Sequence, residues 1–142
     1  MTTHAITGTY PAGYNVIAAT LLNQGTISGP LLSDGVGLYS ANLADIINSG
    51  VIAPGSLHRA ISLHAGGTLA NQSGGSIGGA FGVVISGGAG TVVNAGRITA
   101  AAANGVGVYL AGTAVGTIAR PKESFDMTSA DRFEGVGGPC HP

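Results

Sequence analysis

Charge is scarce in this chain. Asp, Glu, Lys and Arg make up 8% of the residues, and the net charge at pH 7 is −1. No electrostatic footprint for nucleic acid or for an anionic membrane surface is present. Aromatic residues are few, at 5%, and Trp is absent. A core of large side chains is thereby excluded. Cys140 is the one cysteine, which excludes an internal disulfide and a Cys-based zinc site. No run of about 18 apolar residues occurs, so no transmembrane helix is expected. Residues 1–13 lack the basic and apolar regions of a signal peptide, and none is expected there.

What remains is small and apolar. Of 142 residues, 26 are Gly, the hydrophobic share is 44% and the mean hydropathy is +0.40. Such a chain is not ordinary disordered polymer, which combines low hydrophobicity with high net charge. It suits a narrow interior of stacked small aliphatic side chains. The length fits one domain or a piece of a longer protein.

The sequence repeats itself. An apolar strand, an Asn, a Gly-containing turn and an Ile occur four times, with Asn23, Asn48, Asn71 and Asn94 as markers. The Asn spacings are 25, 23 and 23 residues. A fixed period in this range signals a repeat architecture. Two residues before each Asn stand Leu21, Ile46, Leu69 and Val92, with Ile118 as a fifth member. One place earlier come Thr20, Asp45, Thr68, Thr91 and Thr117. The turns lead to Ile27, Ile52, Ile77 and Ile98. A further strand aligns Val36, Ile61, Val83 and Val106, then Leu38, Leu63, Ile85 and Val108 two residues on. Gly37, Ser62, Val84 and Gly107 lie between these columns. Period-2 alternation of this kind belongs to half-buried strands, and it places Ser62 toward water.

These columns predict an all-β chain, a parallel β-helix (solenoid) of about four coils with three short strands per coil. Each strand pairs with its counterpart in the next coil, so like columns stack. An antiparallel meander barrel is the alternative, but its strands need no fixed chemical register. The stacked Asn amides are expected to form a hydrogen-bonded ladder, since each is both donor and acceptor. Asn also tolerates left-handed turns. Under either reading the four Asn are structural.

The stretches Gly90 to Asn94, Asn94 to Ile98 and Gly105 to Leu110 carry a resemblance. The pattern over residues 15–119 resembles the passenger regions of bacterial autotransporters and filamentous-haemagglutinin-like surface proteins. That resemblance implies a right-handed β-helix, display at the cell surface or secretion near an outer membrane, and a non-catalytic stalk or adhesin role. It implies host or bacterial surface molecules as partners, with self-association through open strand edges. Family passengers are longer, follow a signal peptide and precede a membrane barrel, so this chain resembles a fragment.

Three segments are expected: a lead-in over residues 1–14, the β-helix over 15–119, and an irregular, disordered tail over 120–142. Arg120 stands where the next Asn is due, and the tail holds 7 of the 11 charged residues. A cap over the last coil is the alternative for this segment.

Chemistry is sparse. A polysaccharide-active β-helix enzyme is the runner-up, but it needs clustered acids on one face. The repeats offer only Asp34 and Asp45, expected on different faces, with Asp34 aligned to Arg59 as a surface ion pair. His58 and His64 are expected as exposed side chains rather than metal ligands, and His64 aligns with Tyr39, Ser86 and Tyr109. The Gly-rich run Ser86 to Gly90 lacks the Asp of calcium-binding repeats and the Gly-Lys of a phosphate loop. The Thr column, broken by Asp45, is too narrow for an ice-binding array. No catalytic, cofactor-binding or metal-binding residue is therefore expected.

Overall fold

A computed structural model describes residues 2–17, 19–31 and 35–111, together with the backbone of three short strands beyond them. It is all-β, with three parallel sheets stacked as a β-solenoid. The first rung is β1 (Thr3–Ile6), β2 (Thr9–Tyr10) and β3 (Tyr14–Asn15). The second is β4 (Thr20–Asn23), β5 (Thr26–Ile27) and β6 (Val36–Ser40). The third is β7 (Ala44–Asn48), β8 (Val51–Ile52) and β9 (Arg59–Leu63). The fourth is β10 (Gly67–Asn71), β11 (Ser76–Gly79) and β12 (Val83–Ile85). The fifth is β13 (Gly90–Asn94), β14 (Arg97–Ala100) and β15 (Val108–Leu110). Backbone strands β16 (Gly116–Ala119), β17 (Asp126–Met127) and β18 (Arg132–Phe133) continue the three sheets. Every pairing between described strands is parallel, which removes the meander barrel.

The lead-in residues Thr3–Ile6 thus pair with Thr20–Asn23 and belong to the first rung. In the segment 120–142, Asp126–Met127 pairs with Arg97–Ile98, and Arg132–Phe133 pairs with Tyr109–Leu110. The rest of that segment, Cys140 included, lies outside the described residues. The expectation of a disordered tail lies there with it.

The interior is a stack of aliphatic columns. Leu21, Ile46, Leu69 and Val92 lie in register along the first sheet, and each is buried. Ile27, Ile52, Ile77 and Ile98 do the same along the second, all at 0% exposure. Each fully buried Leu or Ile contributes about 1.5–3 kcal/mol of transfer free energy. The strands that carry them are only two to five residues long.

The third sheet departs from the expected register. Ile61 pairs with Leu38 and Val83, and Val83 pairs with Val108. Val36 sits opposite Arg59 instead, so the column Val36, Ile61, Val83, Val106 is corrected to Leu38, Ile61, Val83, Val108. The next inward column is Ser40, Leu63, Ile85 and Leu110. The cause is physical. A one-residue slip turns every side chain to the wrong face, whereas a two-residue slip keeps the face and changes only the partner. Val36 and Val106 are buried as well, so alternation alone cannot choose between the registers. The corner lengths choose, and they differ from coil to coil.

Candidate functional site

The four Asn come together as one ladder. Asn23 Nδ2 donates to Asn48 Oδ1 at 2.7 Å, Asn48 Nδ2 to Asn71 Oδ1 at 2.8 Å, and Asn71 Nδ2 to Asn94 Oδ1 at 2.7 Å. All four side chains are buried. Their direction is set locally. Asn23 Oδ1 also accepts from the backbone N–H of Gly25, and Asn94 Oδ1 from that of Gly96. These two oxygens are held over their own turns, while Asn48 and Asn71 reach their turns through Nδ2, which donates to Gly50 O at 3.1 Å and to Gly75 O at 3.3 Å. No described residue other than Gly has positive φ, so the left-handed reading of these Asn is overturned. Among the described residues the ladder runs as far as Asn94, whose buried Nδ2 has no acceptor there.

The opposite end is finished differently. His4, Tyr10 and Tyr14 stand opposite Leu21, Ile27 and Leu38, the inward positions of their sheets. His4 stacks on Tyr14 with centroids 5.3 Å apart, and Tyr10 meets Tyr14 edge-on at 5.3 Å. Amphipathic rings thus cover the aliphatic core while their polar edges reach water. Burial, and secondarily the neighbouring Tyr10, raise the Tyr14 pKa above its ordinary 10.0. Sequence reasoning missed this group. Its signal was aromatic residues in columns that hold aliphatics everywhere else.

The third sheet carries the remaining candidates on its outer side. Tyr39 pairs with Ser62, Ser62 with Val84 and Val84 with Tyr109. His64 therefore does not stand in the Tyr39 position. It packs edge-on against Tyr39 at 4.9 Å, and its Nε2 lies 3.0 Å from Ser62 Oγ. Ser62 alternates outward as predicted but is 0% exposed, so its assignment to water is corrected. The larger side chains around it close over it.

Asp45 is exposed on the first sheet and accepts a hydrogen bond from Thr68 Oγ1 at 2.7 Å. Asp34, and with it the expected pair with Arg59, lies outside the described residues. Among the described residues no three His, Cys, Asp or Glu side chains come together. Among them no helix is long and apolar enough to cross a membrane.

Among the surface grooves, one of about 310 Å³ runs over Ser56, Ser76, Gly78 and Thr99 and offers small hydroxyl groups. Another, of about 290 Å³, is lined by Arg59, Phe81, Val84, Asn104, Val106 and Tyr109. It joins two aromatic rings to a guanidinium and an amide.

No family model, no curated protein and no solved structure matches this chain.

Proposed function

We propose that this chain is a non-catalytic segment of a cell-surface or secreted bacterial passenger, acting as a rigid stalk with an adhesin-like face. The observation that carries the reading is the continuous amide ladder from Asn23 to Asn94 inside three in-register parallel sheets. A rod whose rungs are bonded through the backbone, and from Asn23 to Asn94 through side chains as well, resists bending, and resisting bending is what a stalk is for. The low charge and small side chains of its outer faces fit a structural role better than an enzyme cleft.

A test is to express the epitope-tagged chain in its own bacterium within its native reading frame. Labelling by antibody on intact, unpermeabilised cells is the expected result. Signal appearing only after lysis would contradict the reading. A self-assembling fibril is a weaker alternative.

A further inference from the structure

We propose that the groove between Phe81 and Tyr109 binds a carboxylate-bearing sugar ring, a uronic acid unit of a polysaccharide. This names a ligand class for the adhesin-like face and rests on that reading for its biological setting.

The pairing of the rungs builds the groove. Ala60 N donates to Phe81 O, and Gly82 N donates to Val106 O. Arg59, Phe81 and Val106 therefore follow one another across three rungs. Farther along the same strands Val84 stands opposite Tyr109. Between the two rows the chain turns its side chains inward. Val83 is fully buried, and a Cβ on Gly82 would meet the Gly107 carbonyl and the Ile98 methyl. Among the described residues no side chain fills the outer side between Phe81 and Val84, and a trough is left there.

Its lining matches an acidic sugar group by group. A pyranose has an apolar C–H face, which the Phe81 and Tyr109 side chains suit. Its hydroxyls both donate and accept, as does the exposed Asn104 amide. Its carboxylate matches the planar, exposed guanidinium of Arg59. Among the described residues no acidic side chain lines the groove, and a guanidinium stands there in a chain with only five Lys and Arg. The volume of about 290 Å³ lies at the small end of ligand sites and suits one ring of a longer polymer.

The test uses the full chain, isotopically labelled, titrated with trigalacturonate and separately with neutral galactotriose while backbone amide resonances are followed. The trigalacturonate is expected to move the resonances of Phe81, Val84, Asn104 and Tyr109 and to bind about tenfold more tightly than the neutral trimer. Arg59→Gln should remove that preference and leave the neutral trimer unaffected. Asn104→Ala, in an exposed turn, should weaken both. Three results would overturn the proposal: no shifts with trigalacturonate at about 10 mM, shifts located elsewhere, or equal affinities that Arg59→Gln does not change. Adherence of the chain to cells that survives Arg59→Gln would overturn this site while leaving the adhesin reading in place.

Discussion

Asn71 Nδ2 donates to Asn94 Oδ1 at 2.7 Å, and among the described residues Asn94 Nδ2 has no acceptor in turn. The two residues occupy the same column and differ in what their loss exposes. Replacing Asn71 with Ala takes the shorter-bonded of its two acceptors from Asn48 Nδ2 and the Asn71 donor from Asn94 Oδ1, and it opens a small void. Replacing Asn94 removes a side chain that already carries one unmet donor. Asn71→Ala is expected to cost about 2–4 kcal/mol and Asn94→Ala about 1–2 kcal/mol. Asn71→Asp should be at least as harmful as Asn71→Ala at neutral pH, because it puts a buried carboxylate against Asn94 Oδ1. Urea unfolding of the three variants gives the order, and an Asn94→Ala cost equal to or above that of Asn71→Ala contradicts it.

Ile61 and Ser62 are both fully buried, one inside the rod and one beneath its outer side chains. Ile61→Asp places an unpaired carboxylate in the aliphatic stack and should cost about 4 kcal/mol or more. Ser62→Asp should cost about 1–3 kcal/mol, since it crowds the contact with His64. Ser73→Asp, at an exposed turn, should stay within about 0.5 kcal/mol. Melting curves rank the three, and a neutral Ser62→Asp would return that residue to water.

Gly67 has φ of 137°, and a Cβ there would run into the Ala44 carbonyl oxygen of the rung below. Gly67→Ala should therefore destabilise by about 2 kcal/mol or more, through backbone strain and through separation of the rungs. Gly8 has open space around the same atom, and Gly8→Ala should be neutral or slightly stabilising. Thermal melts of the two variants check this. Equal losses would mean that the rungs do not approach as closely at Gly67 as described.

Tyr14 supplies a pH dependence. Its pKa is raised in the folded chain, first by burial and then by Tyr10. The folded state holds the phenolic proton longer than the unfolded state does. Stability is thus unaffected by this group below its ordinary pKa of 10.0 and falls as pH rises above it. Wild type should lose stability above that pH faster than Tyr14→Phe, which has no proton to release. Parallel stability profiles for the two chains between pH 9 and 11.5 (about the range that brackets tyrosine) would show that the ring is not desolvated.

The sheets and the rod were legible because their determinants are local and periodic. The Asn ladder and the Ile27 column each carry one residue type at a fixed distance from a Gly turn, and the backbone pairs them as read. The third sheet was legible only in its faces. Moving Leu38 rather than Val36 beside Ile61 leaves every inward residue inward, so hydrophobic alternation is silent about the choice. The corners preceding Val36 and Val108 set the register, and their lengths follow no repeat. The aromatic group of His4, Tyr10 and Tyr14 was missed because the repeat was counted from its Asn, and Ile6 stands in that place in the first rung. The groove at Arg59 was missed for a related reason. Its residues come from three rungs and meet only when the true register is known.

The most direct test of the solenoid is side-chain amide hydrogen exchange. In the uniformly ¹⁵N-labelled chain, the NH₂ groups of Asn23, Asn48 and Asn71 are bonded and buried, while those of Asn15, Asn42 and Asn104 are exposed. The account predicts that the first three exchange at least about a hundredfold more slowly than the exposed three, as buried amides that need structural opening do. It also predicts that Asn71→Ala accelerates Asn48 far more than Asn23, because only Asn48 loses its bond to the next amide and is left with the Gly50 carbonyl alone. Exchange of Asn23, Asn48 and Asn71 at the rate of Asn104 would contradict the ladder, and with it the stacked register on which the fold and the proposed stalk depend.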